Sequence, residues 1–493
     1  MYNLQSKTYP DLQGFGGINT GVAPFNIQDI EATEMLNISS DDFPALSQPK
    51  GRTKVWEGVT DIKHLGALFD GSVFCIAKRG TSSLHTNEFA ICYYYDGGWI
   101  DVALDDEVQG IIENADEFTS TNFTDEKTIL ATGYSYATSH TMITITSPSA
   151  GTYSASIITP QTVTRIVDGR EEQEPEPVPE YVDFVSTKSQ RLLTASRNTD
   201  VLGGSQYRET RWLNADDIQF FYVQTEAGSY ATGLVVYNDY ALYFKRNSTH
   251  ILYGNNRDSY SLDMLSGSVG CVDNKTIAET NTALMWLAAD GVYAYSATTL
   301  PYKISEPIKK YIDNHSGNAA AASDGRKYYL SLKQADGSYV LCIYDTQNRQ
   351  WNIEGNAGYK MFLRKNNIVY ASDGNSIYEL NSGAFDGEWL FITKPFDLSG
   401  TSGKMNIYRI YLNIRAKKGA VLDVSLSPDI SSDKFINVHR QTFLKDVDGK
   451  IPIYLRPNAD LRNLNYFRVK LKGKKECRIY AMEVELRARR GSY

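Results

Sequence analysis

The chain lacks the features that mark a membrane-spanning or secreted protein. Among its 493 residues, no uninterrupted apolar run approaches the roughly 18–20 residues that a transmembrane helix needs. The opening sequence MYNLQSKTYPDLQG has neither the basic nor the apolar segment of a secretory signal. We therefore expect no membrane span, and a protein that works where it is made or leaves the cell by lysis.

Cysteine and histidine are scarce, and neither forms a recognisable metal or redox motif. The five cysteines are odd in number, lie far apart and form no CxxC pair. Since most of them sit in apolar, strand-like runs, we expect reduced and buried thiols rather than disulfides or zinc ligands. The six histidines are scattered without an HExxH spacing, so no metal site is expected.

Catalytic signatures are also missing. No GxSxG motif supports a serine nucleophile, and the Gly-rich run at 14–17 lacks the Lys-Ser/Thr step of a phosphate-binding loop. The carboxylate pair Asp216–Asp217 has the composition that glycosidases use, but acidic residues are common in this chain and a solvated turn is the favoured interpretation. The sequence predicts a protein that is not an enzyme and binds no cofactor.

Charge is divided unequally along the chain. Residues 401–493 carry 20 Lys and Arg against 9 Asp and Glu, a net charge of +11, whereas the first 400 residues carry a net charge of −19. Two such halves imply different surroundings for each, unless the partition is a chance distribution of solvated charge. The acidic half repels the phosphate backbone of DNA, so we expect no tight, sequence-specific DNA binding.

Strand-forming patterns dominate the sequence. Thirty-four tyrosines and many Asp-Gly turns between apolar runs indicate short antiparallel strands. After Asn238, the residues Tyr240, Leu242 and Phe244 alternate with their neighbours at the period of a half-buried strand. A helix is predicted only over 305–314, where a serine can cap it and a proline lies in the first turn.

The hairpins recur as weak repeats of about 35–50 residues, the length of a propeller blade. We place blade-like units near 62–104, 115–158, 183–221, 230–264, 270–305, 318–354 and, in part, 357–382. The predicted fold class is all-β, with a six- or seven-bladed β-propeller over 54–388. Residues 1–53 are predicted to be an extended segment that closes the last blade. A pair of β-sandwiches is the alternative.

Residues 165–180 interrupt the repeats with the sequence RIVDGREEQEPEPVPE. Acidic, proline-rich sequence cannot bury enough apolar surface to fold alone. We expect an exposed arm on the base of a protruding hairpin, which contacts a neighbouring subunit or a fibre and is ordered only on assembly.

From residue 389 onward the strands lengthen and alternate cleanly. Because Arg468, Lys470 and Lys472 alternate with apolar residues, residues 389–493 are predicted to form an antiparallel β-sandwich with one basic face. Like charges along one strand repel one another unless something acidic faces them, which predicts an assembly interface there. A solvated face is the alternative. The candidate interface residues are Arg468, Lys470 and Lys472, followed by Arg409, Arg415, Arg456 and Arg462.

Several stretches together resemble one protein family. They are Gly17-Ile18-Asn19, Glu31-Ala32-Thr33, Leu36-Asn37 and Gln48 to Arg52 at the start, Trp212 to Phe220, Gly233 to Val235 and Tyr243 to Gly254 in the middle, Lys303-Ile304-Ser305 with the helix after it, and Pro395-Phe396 onward to Arg489. This pattern resembles the tail hub or nozzle proteins of tailed bacteriophages, including tail tubular protein B-like nozzles and packaged-DNA stabilisation proteins. The acidic arm is not part of the pattern.

The resemblance implies a structural virion protein that is assembled in the host cytoplasm. It implies a ring of copies, a hexamer, at or below the portal, which retains double-stranded DNA and conducts it during ejection. The implied partners are portal or adaptor proteins and tail fibres or a needle, and no catalytic residues are implied. Two other functions stay open: a propeller that binds or degrades glycans, and a cytoplasmic scaffold that holds partner proteins on its blades.

Overall fold

The regular structure of the chain is almost entirely β-strand, which confirms the all-β class. The computed structural model describes residues 6–79, 88–133, 140–149, 151–160, 162–167, 170–175, 178–210, 212, 219–223, 230–256, 259–355, 357–398, 405–430, 433–455 and 461–488. Within these ranges, helix is confined to α1 (Asp106–Asn114), α2 (Lys309–Asp313) and the short 3-10 segments Asn274–Thr276 and Glu306–Ile308.

The predicted helix over 305–314 is confirmed as a short helical segment that ends in α2, but α1 was not predicted. Asp105 caps α1, because its carboxylate accepts a hydrogen bond from the Val108 amide at 2.8 Å. Val108, Ile111 and Ile112 form the buried face of the helix at the spacing of an amphipathic helix. Nine residues are too few for that periodicity to stand out in a strand-rich sequence.

Seven small sheets, numbered one to seven along the chain, follow one another through residues 53–379. Each has four antiparallel strands, and sheet two has a fifth, parallel strand at its edge. Sheet one consists of Val59–Ala67, Val73–Arg79, Phe89–Tyr95 and Gly98–Asp101, and sheet two of Ala103–Leu104, Thr119–Phe123, Lys127–Ala131, Met142–Ser149 and Thr152–Ile157. Sheet three consists of Phe184–Lys188, Arg191–Ala195, Val201–Gly204 and Gln219–Tyr222, and sheet four of Ala231–Tyr237, Tyr240–Lys245, Thr249–Tyr253 and Ser261–Ser266.

Sheet seven is completed by a strand from the beginning of the chain, Thr53–Val55, which pairs with the strand Ile377–Glu379. Sheet five consists of Ala278–Glu279, Leu284–Ala288, Gly291–Tyr295 and Tyr302–Lys303, and sheet six of His315–Ser323, Lys327–Gln334, Tyr339–Asp345 and Gln350–Gly355. Sheet seven consists of Met361–Lys365, Ile368–Ser372, Ile377–Glu379 and Thr53–Val55.

Successive sheets pack side by side through their leading strands. The first full strand of sheet one contacts that of sheet two, and the same holds for sheets two with three and three with four. Sheet four contacts the 3-10 segment Asn274–Thr276 that precedes sheet five, and the succession continues through sheet six to sheet seven, whose leading strand contacts sheet one. Small antiparallel sheets placed side by side in this way make the fold β-propeller-like.

Two further sheets, sandwich sheets A and B, contain the remaining strands apart from those of one separate hairpin. Sheet A consists of Ser6–Leu12, Cys477–Ala488, Met405–Ala416 and Val447–Tyr454, and sheet B of Ala32–Leu36, Glu388–Thr393, Tyr466–Lys474, Val421–Ser427 and Ile436–Thr442, with Phe396–Asp397 also pairing with Tyr466–Lys474. Each sheet takes one edge strand from the beginning of the chain. The first part of the chain therefore supplies an edge strand to each sandwich sheet and to sheet seven. The sequence predicts only that residues 1–53 close the last blade.

The sandwich and the propeller-like body share one apolar core. Leu471 and Phe391 of sheet B are fully buried, as the alternating pattern predicts, and belong to the same cluster as Met285 of sheet five and Trp351 of sheet six. Burial on this scale is the main stabilising contribution to a fold. The two parts are therefore packed against one another rather than joined by a free linker.

Residues 13–52 run along the junction between the two parts. The Ile18 amide donates a hydrogen bond to the Trp351 carbonyl at 2.9 Å, and a Cβ atom on Gly17 would lie only 2.5 Å from the same oxygen. A Cβ atom on Gly51 would lie 2.2 Å from the carbonyl oxygen of Ala384. Only glycine allows such close backbone approaches. Both glycines belong to the stretches that carry the family resemblance.

The acidic arm is only partly as predicted. Thr162–Val167 and Arg170–Pro175 pair as a two-stranded hairpin that joins no other described strand, and Glu171 is exposed. Val178, however, is buried in a core cluster together with Val182. The prediction that all of 165–180 is exposed is therefore wrong at its carboxyl-terminal end, where an apolar side chain anchors the returning chain. Positions 168, 169, 176 and 177 lie outside the described residues.

Candidate functional site

A cavity of about 330 Å³ lies where the leading strands of the seven sheets meet. One residue from each sheet or its entry illustrates the lining: Leu65, Ser120, Ser186, Val235, Ile277, Ala320 and Phe362. The wall is a mixture of hydroxyl, apolar and amide groups, together with the lysines Lys63 and Lys275 and the imidazole of His64. Propeller-like folds commonly place their ligands at such a central position, so this cavity is the first candidate for a binding site.

His64 is the titratable side chain at the centre of this wall. Its Nε2 atom lies 3.0 Å from the Ser120 hydroxyl, and its ring packs beside Phe74 and Phe118. Burial, together with the nearby Lys275 ammonium, lowers the pKa of His64 from 6.5 to about 4. The imidazole is therefore neutral at pH 7 and adds no positive charge to the cavity.

A cluster of ion pairs lies against the cavity and links three sheets. The Lys275 ammonium, at the entry to sheet five, lies 3.1 Å from the Glu117 carboxylate at the entry to sheet two. Arg197 of the sheet-three region contacts the same carboxylate, and its amide donates to Asp183 at 2.7 Å. Burial raises the pKa of Glu117, but the two cations outweigh it and hold that pKa below its usual value.

Among the described residues that line the 330 Å³ cavity there is no carboxylate, whereas most glycosidases use two that flank the scissile bond. The carboxylates beside it border a space of only about 10 Å³, close to the volume of one water-sized sphere. They bind lysine and arginine side chains and stabilise the contact between sheets.

The positive charges of the first three interface candidates have partners within the chain and repel one another less than predicted. Arg468 is buried, with its guanidinium carbon 5.0 Å from the centre of the Phe435 ring, and the Lys470 ammonium lies 5.2 Å from the same ring. The Lys472 ammonium is 2.8 Å from the Glu388 carboxylate of the same chain. The argument that their charges require an acidic neighbour from another copy is therefore wrong for Lys472. Their place in an interface stays a prediction.

Two of the other candidates lie in sandwich sheet A, the opposite sheet. The Arg409 guanidinium stacks 4.4 Å from the centre of the Tyr454 ring and lies 4.0 Å from the Glu485 carboxylate. Arg415 lies 3.3 Å from Asp448. Arg409 is half-buried and Arg415 is exposed, and each pairs with a carboxylate of the same sheet.

The remaining candidates do not complete a single surface. Arg462 is exposed, and Arg456 lies outside the described residues, as does the carboxylate pair Asp216–Asp217. Because the candidates are divided between the outer faces of two sheets, the structure does not bring them together. The candidates therefore do not form one continuous face, because alternation along a strand shows which side chains share a face but not which strands share a sheet; their place in an assembly interface stays a prediction.

A second cavity, of about 630 Å³, lies between residues 41–50, the loop that follows sheet seven and two turns of the sandwich. We call it the junction groove. Lys50, Lys418 and Lys475 line it and are exposed, and within the described ranges their ammonium groups form no ion pair. The sequence analysis missed this site. Its signals are the paired lysines at 417–418 and 474–475, which lie far apart in sequence and meet only in the fold.

Other chemical groups add no further site. All five cysteines are free and buried, as predicted. Within the part of the chain that the structure describes, no three His, Cys, Asp or Glu side chains group as metal ligands. Among the same residues, no helix is both long enough and apolar enough to cross a membrane.

The description of the fold rests on the sheet topology and not on comparisons with known proteins. No family model matches the chain, and no curated protein matches it. Among solved structures, an extracellular domain assigned to a hybrid two component system of B. thetaiotaomicron matches with a TM-score of 0.41 and 9% identity over 73% of this chain. This chain covers 42% of that structure, which is less than half of its length.

Two further structures match at a similar level. A lectin of Burkholderia pseudomallei gives a TM-score of 0.39 and 9% identity, with 68% of this chain and 99% of the lectin covered. Puromycin hydrolase gives the same TM-score and identity, with 66% of this chain and 52% of the hydrolase covered. TM-scores this low carry no inference about ligand, activity or partner. The all-β, propeller-like description rests on the sheet topology.

Proposed function

We propose that the chain is a structural protein of a tailed bacteriophage, located in the tail or neck of the virion. Copies of it form a ring, a hexamer in the proposed arrangement, that retains packaged DNA and conducts it during ejection. Its partners are portal or adaptor proteins on one side and tail fibres or a needle on the other. It is not an enzyme and needs no cofactor.

The observation that carries this proposal is what the family-resembling residues do in the fold. Asn19 donates its side-chain amide to the Glu31 carboxylate at 3.1 Å, and Arg52 pairs with the Glu354 carboxylate of sheet six at 2.7 Å. These residues hold the opening segment in the junction between the sandwich and the propeller-like body. Residues that hold one segment of the fold against another fit a structural role better than a catalytic one.

We further propose that the seven sheets are the blades of a seven-bladed propeller. The cavity lined by all seven sheets and the completion of sheet seven by Thr53–Val55 support this count over six. Pairing the first and last parts of the chain in one blade is an economical way to remove open sheet edges. A cryo-EM map with six or eight radial blades would contradict it.

The size of the central cavity supports a path for DNA outside the propeller. A cavity of about 330 Å³ is too small for a duplex, in which one groove alone is about 12 Å wide. The duplex therefore passes through the lumen that several copies enclose. An acidic wall suits that lumen, since like charge prevents the phosphates from adhering during ejection.

Deleting the gene from its phage tests the proposed function. We expect heads that package DNA and then lose it, measured as particles without DNA on a density gradient, with retention restored by the gene in trans. Particles that retain their DNA and infect normally without this chain would contradict the proposal. Release of reducing ends from host polysaccharide by the purified chain would favour a glycan-degrading protein instead.

A further inference from the structure

The central cavity of about 330 Å³ has no role in the proposed passage of DNA, which runs outside the propeller-like body. Its volume lies within the range of roughly 300–1,000 Å³ in which proteins bind small molecules. Ser186 and Phe362 of its wall are only partly buried, so a water-sized molecule reaches them. The chemistry of the wall therefore indicates which class of small molecule fits there.

The cationic side chains of the wall already have partners. The Lys63 ammonium donates to two carbonyl oxygens at the end of α1 and lies 3.8 Å from the Asp116 carboxylate. The Lys275 ammonium lies 3.1 Å from the Glu117 carboxylate, and the His64 imidazole is neutral at pH 7. A charged ligand would lose its hydration in the cavity without gaining an unpaired counterion. The wall therefore favours an uncharged ligand.

Two polar groups of the wall have no partner within the part of the chain that the structure describes. The Ser186 hydroxyl of sheet three forms no hydrogen bond there. The Asn274 side-chain oxygen accepts from the Leu234 amide at 3.1 Å, but its Nδ2 hydrogens have no acceptor there. The Ser120 hydroxyl, 3.0 Å from the His64 ring, has capacity for a further bond. Hydrogen-bonding groups on different sheets suit a ligand that carries several hydroxyls.

Much of the remaining wall is apolar. Leu65, Val235, Ile277 and Phe362 reach it from sheets one and four, the entry to sheet five, and sheet seven. A sugar ring has hydroxyls along its rim and C–H groups on its faces, so it can contact both kinds of surface at once. A purely apolar ligand would displace water from the Ser186 hydroxyl without replacing its hydrogen bond. The wall therefore matches a neutral sugar better than an apolar molecule or an ion.

We propose that the central cavity binds one ring of a neutral sugar without cleaving it. The Ser186 hydroxyl and the Asn274 amide hydrogen-bond hydroxyls of the sugar, and the Phe362 side chain packs against its C–H groups. A free hexose and the end of a host-surface polysaccharide offer the same ring. This inference goes beyond the proposed structural role and does not depend on it.

Saturation-transfer NMR on the full chain tests the binding. The neutral probes are D-glucose, D-galactose, D-mannose and N-acetyl-D-glucosamine, and D-glucuronate is the charged counterpart. We expect at least one neutral sugar to bind with a Kd of about 1 mM or below, and glucuronate to bind at least about fivefold more weakly. A neutral polysaccharide of the sugar that binds is then added as a competitor. Competition would identify the end of a sugar chain as a ligand, and its absence would restrict the site to free sugar.

Substitutions in the wall locate the binding. Ser186→Ala removes a hydroxyl without another partner in the described chain, so it should weaken sugar binding by about threefold to tenfold while the melting temperature hardly changes. Asn274→Asp keeps the acceptor for the Leu234 amide but removes the donor, and should weaken binding as well. The matched control is Ser261→Ala, which removes an exposed hydroxyl on the outer strand of sheet four and should leave binding unchanged.

Three results would overturn the inference. They are the absence of saturation transfer to every neutral probe, binding of glucuronate that is as tight as that of the best neutral sugar, and binding to Ser186→Ala that equals binding to the wild type. DNA retention by the phage reports separately on the proposed function, so either claim can fail while the other holds.

Discussion

Buried charged side chains in this chain join segments that are distant in sequence. Asp345 of sheet six has no exposed surface and accepts hydrogen bonds from the Ser40 hydroxyl at 2.6 Å and from the Arg326 guanidinium. Burial by itself raises the pKa of Asp345, but these bonds outweigh burial and leave its pKa below the usual value. The stabilisation is therefore present above about pH 4, the pKa of an unfolded Asp, and is lost as the pH falls through the lower folded value.

Replacing Asp345 by Asn should lower the free energy of unfolding by about 2–4 kcal/mol, because Arg326 loses the nearer of its two carboxylate partners and the buried amide satisfies fewer donors. Asp313→Asn is the control: its carboxylate pairs with Lys309 at 3.0 Å on the exposed surface of α2, where such pairs contribute below about 1 kcal/mol. Urea unfolding at pH 7 measures both. Equal losses in the two variants would show that the Asp345 contacts do not secure the opening segment.

His64 predicts a second, separate dependence on pH. Its folded pKa of about 4 lies below the unfolded value of 6.5, so the unfolded chain takes up a proton first as the pH falls. Stability is complete above about pH 6.5 and declines between pH 6.5 and 4, by up to about 2 kcal/mol at pH 5. In His64→Gln the decline over this range should be smaller by that amount. Parallel stability profiles for variant and wild type would show that the imidazole titrates as it does in water.

At the scale of elements, the sequence predicts sheets well where turn chemistry and strand period agree. The unit predicted at 230–264 is sheet four, which spans Ala231 to Ser266, and its first turn holds Asn238 and Asp239 at φ of 48° and 61°. Both angles are left-handed, which suits the tight hairpin turn that these residue types favour. Local chemistry determines this element, so a single sequence contains enough information.

Elements that depend on distant contacts could not be predicted in the same way. The edge strands Ser6–Leu12 and Ala32–Leu36 join sandwich sheets whose other strands begin only at Met405 and at Glu388. Val178 lies between prolines in an acidic stretch, and only its packing beside Val182 makes it a core residue. The junction groove is missed for the same reason, because its lysines come from segments that approach one another only after folding.

Removing the hairpin tests its independence as an element. Replacing residues 162–175 by a short Gly-Ser linker, while keeping Val178, should leave the melting temperature of the isolated chain within a few degrees of the wild type, because the hairpin pairs with no other described strand. Val178→Asp, which places a charge in the core, should lower it far more. Differential scanning calorimetry distinguishes the two. Unfolding caused by the linker variant would show that the hairpin belongs to the core.

At the scale of the whole molecule, the first 400 residues, which include the propeller-like body, carry a net charge of −19, whereas the last 93 residues, which belong to the sandwich part, carry +11. A shared apolar core fixes the two parts relative to each other. One copy therefore holds an acidic and a basic stretch of the chain in a fixed geometry, and several of the basic side chains pair with carboxylates of the same copy. Such a polarised unit is suited to repeated contacts between copies, which are stronger at low salt.

Cryo-EM of purified particles of the phage that encodes this chain tests the central claim most directly. The account predicts a closed ring of copies in the tail or neck, with the DNA path running through the lumen between the copies and outside each propeller. Particles whose tail and neck density contains no copy of this chain, or contains a single copy that does not surround the DNA, would contradict it.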